Sequence, residues 1–108
     1  MKNIKNLPDY PEYLKELIIA AAHTVSSRKI ITGIKCDITL LAFGEGEDKC
    51  EMCHSGEAMY LCVEGTATIK MDDTDYKIKE GQLMTIEAGM QHIICGNSDY
   101  KLLQILTE

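Results

Sequence analysis

The sequence predicts an all-β domain, a sandwich or a closed barrel, that follows a single helix. From Val25 onward, the sequence consists of short segments typical of β-strands, and in TATIKM polar and apolar residues alternate as they do in a half-buried strand. Glycines and acidic turn residues separate these segments at short intervals, which is typical of barrels and sandwiches. Only residues 9–22 carry apolar residues at helical spacing, so the helix precedes the β structure.

The predicted helix occupies residues 9–22. Its apolar residues recur with the spacing of one helical face, and this stripe consists of Leu14, Leu17, Ile18, Ala21, Ala22 and Val25. Asp9 and Glu12 have the spacing of a capping box, and Pro11 suits the first turn of a helix. We expect the apolar stripe to cover a sheet or a partner subunit rather than to bind a cofactor.

About eight short strands are predicted after the helix. Their sequences are VSSRKII, CDITLLAF, EAMYLCV, TATIKM, YKIKE, QLMTIE, QHIIC and YKLLQIL. Polar and apolar residues alternate in TATIKM, and we expect Glu64–Gly65 and the acidic turn DDTD to end the strands on either side of it. The chain is therefore divided into a helical leader at residues 1–24 and a barrel at residues 25–108.

Composition and charge exclude two classes of partner. The 108 residues include 11 Lys and Arg against 17 Asp and Glu, and the net charge of −6 would repel the phosphate backbone of a nucleic acid. No apolar run approaches the roughly 20 residues that span a bilayer, so we expect no membrane partner. The first residues lack the apolar region of a signal peptide, and we expect a cytoplasmic protein with five reduced cysteines.

The segment CEMCH, Cys50 to His54, has the C-x-x-C-H spacing by which a c-type haem is attached covalently. Covalent haem attachment normally follows export, and we find no export signal in the sequence, so we expect no haem. Two thiols and an imidazole so close together are also ligands that zinc prefers. Zinc therefore remains an open alternative for this segment.

The order of these strands and turns resembles the cupin superfamily. The similarity covers residues 25–106, and its most characteristic part is the hairpin VEGTATIKMDDTDYKIKEGQ with its turn residues. The resemblance implies a double-stranded β-helix, or jelly-roll barrel, here with one N-terminal α-helix. It also implies two motifs that contribute three histidines and one glutamate to a divalent metal site inside the barrel, where open coordination positions admit a substrate or oxygen.

The motif positions of this chain keep half of that metal site. The first motif begins at Gly46 and has Met52 and His54 at its two histidine positions and Ala58 at its glutamate position. The second motif keeps its two glycines and its histidine, which is His92. The resemblance therefore implies a cupin scaffold with a depleted metal site.

Three interpretations of the depleted site belong to different functional classes. In the first, His54 and His92 bind a divalent metal (Zn, Fe, Mn, Ni or Cu) with additional ligands from Cys50, Cys53 or Glu57. Strand alternation places Cys53 and Glu57 on the outer face, which argues against full use of this set.

In the second interpretation the barrel is a metal-free pocket for a small organic molecule, and the protein is a sensor or binding module. The inward-facing residues that would line the pocket are Met52, Ala58, Tyr60, Cys62 and Met90. Whether the protein is an enzyme is left open. For an enzyme, the resemblance implies metal-assisted isomerisation, decarboxylation or oxygenation, with Tyr60 or Glu57 as the residue that transfers a proton.

In the third interpretation the histidines are hydrogen-bonded core residues, and the protein acts through its surface as a structural or regulatory dimer. We expect a homodimer in each case. Small cupins commonly pair through edge strands and N-terminal segments. The segment VSSRKII is β-branched and lightly charged, so it could extend the sheet of a second copy, and the helical stripe could be buried in the same interface.

Overall fold

In the part of the chain that the structure describes, the fold consists of eight strands and one short 3-10 helix. The computed structural model describes residues 7–33, 36–46, 50–95 and 98–107. The first six residues of the predicted leader and the last residue of the predicted barrel therefore lie outside the described residues. The 3-10 helix spans Leu14–Leu17, and the strands are β1 (Val25–Thr32), β2 (Cys36–Phe43), β3 (Cys50–Met52), β4 (Ala58–Met71), β5 (Thr74–Lys79), β6 (Leu83–Ile86), β7 (His92–Cys95) and β8 (Tyr100–Thr107). Within the described ranges, no helix is long and apolar enough to cross a membrane.

The strands pair in an antiparallel manner and form one curled sheet in the order β1-β2-β8-β4-β7-β3. The two remaining strands, β5 and β6, both pair with β4. The first half of β4 pairs with β6 and β8, and its second half pairs with β5 and β7. This strand therefore carries the sheet from one side of the barrel to the other. The all-β barrel predicted from the sequence is confirmed.

Strand β4 is continuous for 14 residues, and the prediction of two strands separated at Glu64–Gly65 was wrong. Its register against β8 shifts between Cys62 and Glu64, as in a β-bulge. Gly65 has a φ of 81°, and a Cβ atom there would lie 2.7 Å from the carbonyl oxygen of Asp99. Because glycine adopts this conformation and has no Cβ, the chain bends here and stays in the sheet.

The predicted α-helix at residues 9–22 was also wrong, because only the 3-10 turn Leu14–Leu17 is helical. Ile18 ends the turn in an extended conformation, with φ −148° and ψ 151°. The N-cap residue, Tyr13, makes no side-chain capping bond, and Glu12 accepts a hydrogen bond from the Tyr13 amide at 2.9 Å. A short helix is marginal by itself, and the packing surface of the sheet stabilises an extended segment here instead.

The first half of the apolar stripe in the N-terminal segment still covers the barrel. Leu14, Leu17 and Ile18 pack in a cluster on the outer face of the sheet, where Leu40 of β2 is fully buried. Arg28 of β1 donates a hydrogen bond to the carbonyl oxygen of Leu17 at 2.6 Å. This part of the stripe therefore covers the sheet of its own barrel, which is one of the two alternatives expected from the sequence; the other was a partner subunit.

The barrel interior holds the larger apolar cluster and changes in polarity along its axis. At one end Phe43 stacks on Tyr100, with ring centroids 5.1 Å apart. Toward the other end, the buried side chains include Thr39, His92 and Gln104. This polar end is the place where the candidate site forms.

Candidate functional site

Three strands bring the candidate side chains together at the polar end of the barrel. β3 and β7 pair Met52 with His92, so the two side chains share the inner face. Tyr60 is fully buried on the inner face of β4, and His54 follows β3 by two residues and is half-buried. Alternation along the three strands therefore points their three side chains at one small volume, and His54 reaches the same volume from the segment after β3.

The hydroxyl group of Tyr60 lies between the two histidines. Its oxygen is 2.9 Å from Nε2 of His92 and 3.3 Å from Nε2 of His54. The Met52 sulfur is 3.9 Å from the same oxygen. Tyr60 and His92 also make an edge-to-face ring contact, with centroids 5.5 Å apart. We refer to the His54, Tyr60 and His92 side chains as the histidine–tyrosine network.

The hydrogen bonds of the network have a defined direction when both imidazoles are neutral. Nδ1 of His92 lies 3.0 Å from the carbonyl oxygen of Met90, which can only accept, so Nδ1 carries the proton of this ring. Nε2 of His92 therefore accepts the Tyr60 hydroxyl proton. Because a hydroxyl has one proton, its second bond must be accepted from the N–H at Nε2 of His54.

The surroundings of the network favour the uncharged form of Tyr60 and of His54. Burial raises the pKa of Tyr60, so the phenol stays protonated at neutral pH. Burial, and to a smaller extent the nearby His92, lower the pKa of His54. Two of the three groups of the network, Tyr60 and His54, therefore favour their uncharged forms in the interior of the barrel.

The remaining predicted pocket residues lie close to the network. Ala58 and Cys62 are buried on the inner face of β4, two residues on either side of Tyr60, and Met90 packs against the same interior cluster. The Cys62 thiol donates a hydrogen bond to the carbonyl oxygen of Gly65 at 3.3 Å, and burial raises its pKa. This thiol is held in its protonated, unreactive form.

The other members of the CEMCH segment and its neighbour Glu57 do not converge on the histidines. Cys53 and Glu57 are exposed, and the Cys53 thiol donates a long hydrogen bond (3.6 Å) to the carbonyl oxygen of Gly89. Cys50 packs against the interior apolar cluster. Cys36, Cys53, Cys62 and Cys95 are free thiols.

The donor set does not fit the metal that the fold family implies. Of the four family positions, Met52 has a thioether and Ala58 has no donor atom, while His54 and His92 both direct Nε2 to the Tyr60 hydroxyl. In the part of the chain that the structure describes, no group of three or more His, Cys, Asp or Glu side chains could hold a metal ion. A metal bound by both histidines would have to displace the Tyr60 hydroxyl.

Sequence reasoning missed two polar residues that the fold places beside the network. Gln104 of β8 pairs with Tyr60 on one side and with Thr39 of β2 on the other, and both Gln104 and Thr39 are buried. The sequence did contain a signal for Gln104: it is a polar residue at an inward position of the closing strand, between the inward-facing Leu102 and Leu106.

The polar end of the barrel opens to solvent through a cleft of about 500 Å³. Met52 and His92 form part of its wall, together with Lys70 and Asp72 at the outer rim. The cleft contacts the network at His92 and leaves Tyr60 buried behind it. A small molecule could therefore approach the network from this side.

Comparisons with known proteins agree with this fold. The family model of the cupin domain matches residues 38–106. The crystal structure of a cupin superfamily protein from Desulfitobacterium hafniense is 30% identical, with a TM-score of 0.91 over 98% of each chain. None of the curated proteins matches the chain.

Two further solved structures share the fold at lower identity. A conserved protein of unknown function from Streptococcus pyogenes is 22% identical, with a TM-score of 0.92 over 100% of this chain and 96% of its own. A cupin 2 conserved barrel domain protein from Leptotrichia buccalis is 22% identical, with a TM-score of 0.87 over 96% of this chain and 50% of its own. By its family-model match, its similarity to the Desulfitobacterium protein and its barrel, the chain belongs to the cupin superfamily.

Proposed function

We propose that this cupin is a metal-free binding module for a small organic molecule. The observation that carries the proposal is the position of the Tyr60 hydroxyl, which bonds to Nε2 of both His54 and His92. These two nitrogens are the metal-binding atoms that remain at the family positions, and each already has a partner within the protein. The hydroxyl thus takes the central place between the retained histidines.

The chemistry of the interior supports a partly apolar ligand. Met52 and Met90 border the network with flexible, polarizable thioethers that adapt to different ligand shapes. The histidines and Tyr60 supply a few polar groups at fixed positions, and the cleft beside His92 gives access from solvent. Apolar walls with a few oriented polar groups are typical of small-molecule sites.

We propose binding rather than turnover for two reasons. Tyr60 is a buried, neutral phenol whose proton is already given to His92, so it is a poor acid or base. Glu57, the other candidate for proton transfer, is exposed and lies outside the network. The first interpretation of the sequence, metal-assisted catalysis, would need ligands that the described residues do not bring together.

A screen with metabolite-sized acids, amides, alcohols and aromatic compounds tests the proposal. A compound that binds the folded barrel raises its melting temperature, and at 100 times its Kd it stabilises the protein by about 2.7 kcal/mol. We expect at least one class of compound to do so without added metal, and we expect His92→Ala to abolish the effect. Stabilisation that requires a metal, or that is unchanged in His92→Ala, would contradict the proposal.

A further inference from the structure

We infer, on the basis of the interior site proposed above, that Gln104 recognises the bound molecule through its side-chain amide. We further infer that this molecule is uncharged and carries an N–H or O–H donor on a small apolar body. Three features of the inner face of β8 and its neighbours lead to this ligand class: the position of Gln104, its unpartnered acceptor, and the lack of buried charge.

Gln104 lies directly beside Tyr60. The two residues oppose each other in the antiparallel pair of β8 and β4, in which opposed Cβ atoms are about 4.5–5.5 Å apart. On its other side Gln104 opposes Thr39 of β2. The side chain is 8% exposed, and it shares the inner face with Leu102, a member of the interior cluster. Its amide is therefore directed into the interior that contains the network.

The side-chain oxygen of Gln104 is a buried acceptor that lacks a donor. Within residues 7–33, 36–46, 50–95 and 98–107, no group donates a hydrogen bond to its Oε1. Such an acceptor destabilises a folded chain, whereas an apolar side chain of similar size would not. Since Leu102 and Leu106 occupy the neighbouring inward positions, a leucine would suit position 104 by packing alone. A donor on a bound molecule would satisfy this oxygen.

The interior offers the unpartnered acceptor of Gln104, and the described buried side chains supply no permanent charge. Among the described residues the buried polar side chains are Thr39, Thr68, His92 and Gln104. The hydroxyl proton of Tyr60 is given to His92, and the Nε2 proton of His54 is given to Tyr60, so neither is left to bind an anion. A carboxylate placed here would lose its hydration without gaining an opposite charge. The site therefore selects neutral donors.

Benzamide is a suitable probe for this ligand class. Its primary amide has two N–H donors for Gln104, and its ring can contact the thioethers of Met52, Met84 and Met90, which favour aromatic neighbours. Benzoate has the same shape with a charge and no donor, and N,N-dimethylbenzamide is neutral with no donor. The three compounds separate the effects of shape, charge and hydrogen-bond donation.

The experiment compares thermal shifts and calorimetric Kd values of the three probes for the wild type and for Gln104→Leu. We expect the wild type to bind benzamide at least ten-fold more tightly than either analogue. We expect Gln104→Leu to melt at the same or a higher temperature without ligand and to bind benzamide at least ten-fold more weakly. Gln82→Leu, at an exposed glutamine between β5 and β6, is the matched control and should bind benzamide like the wild type.

Gln104→Met serves as a second variant if Gln104→Leu does not fold, and the same loss of benzamide binding is expected. Equal binding of benzoate and benzamide, or benzamide binding by either variant as tight as by the wild type, would overturn the inference about Gln104. The proposed binding site in the interior would not be contradicted by either result. The inference about Gln104 would also be overturned if none of the three probes binds the wild type while other compounds of the wider screen do. If no compound of that screen binds, the proposed function fails as well.

Discussion

Tyr60 is the residue that changes the chemistry of this barrel. In a cupin that keeps its four metal ligands, the histidines point at an ion, whereas here two histidines and a methionine surround a phenol hydroxyl. The inward position of Tyr60 follows from simple strand alternation and was predictable. Its contact with both imidazoles was not, because it depends on how closely β4 packs against β3 and β7, which alternation does not determine.

Replacement of Tyr60 by phenylalanine tests the network at a single atom. Loss of the hydroxyl leaves Nε2 of His92 and of His54 without their partner, and we expect a destabilisation of about 1–3 kcal/mol in urea unfolding. Tyr10→Phe is the matched control, since Tyr10 is 67% exposed, and it should change stability by less than about 0.5 kcal/mol. Equal effects of the two substitutions would mean that the hydroxyl bonds contribute nothing.

The pH dependence of stability reports on His54. Its pKa is lowered in the folded protein, mainly by burial and further by His92, so the unfolded chain binds the proton more tightly. The stabilising contribution is therefore complete above the unfolded pKa, about 6.5, and is lost as the pH falls below it toward the folded pKa. We expect the melting temperature to fall between pH 7.5 and 5.5, and to fall less in His54→Gln. If the melting temperatures of the wild type and of His54→Gln fall equally with pH, the pH dependence does not come from His54.

Gln104 shows where residue-level prediction failed. The closing strand YKLLQIL was recognised as a strand, but its glutamine drew no functional interpretation. Its importance depends on β8 lying between β2 and β4, which places it beside Tyr60. A single sequence gives the strand and its alternation, but it does not give the neighbours of each strand.

At the scale of elements, local patterns located the strands well and gave the N-terminal segment a wrong conformation. β2 has the bounds Cys36–Phe43 of the predicted CDITLLAF, a short apolar run that contains β-branched and aromatic residues. The stripe with helical spacing instead forms one 3-10 turn, which ends at an extended Ile18. A short amphipathic segment takes the conformation that best covers its packing surface, and that surface is formed by residues distant in sequence.

The packing of this segment can be tested at Ile18, which is 8% exposed on the outer face of the sheet. We expect Ile18→Ala to destabilise the protein by about 2–3 kcal/mol in urea unfolding, because it opens a cavity beneath the segment. Leu83→Ala removes a similar volume from a side chain that is 58% exposed and should cost less than about 0.5 kcal/mol. A small effect at Ile18 would show that the segment does not pack on its own barrel.

For the whole molecule, we still expect a homodimer, because β1 is an open edge of the sheet. β1 pairs with β2 along one side, and along its other side none of the described strands pairs with it. Tyr10 and Tyr13, which precede this edge, are 67% and 71% exposed. Leu14, Leu17 and Ile18 of the stripe that we expected to join the interface instead pack on their own barrel, so the edge of β1 is the main remaining reason for pairing.

Light scattering at micromolar concentration measures the oligomeric state directly. We expect twice the chain mass of 12.1 kDa. Ser27→Asp places like charges close together when two β1 edges pair by two-fold symmetry, so it should lower the dimer fraction. Thr85→Asp, at an exposed position of β6, should not. If the wild type has a mass near 12.1 kDa at every concentration tested, the dimer is excluded.

The central claim is that the Tyr60 hydroxyl, and not a metal, occupies the place between His54 and His92. Elemental analysis of untagged protein, purified directly and again after incubation with Zn²⁺, Mn²⁺, Ni²⁺ or Fe²⁺ followed by gel filtration, tests it most directly. We predict much less than one metal ion per chain in every sample, with no difference between the wild type and the His54→Ala, His92→Ala double variant. One metal ion per chain in the wild type that is lost in the double variant would contradict the claim.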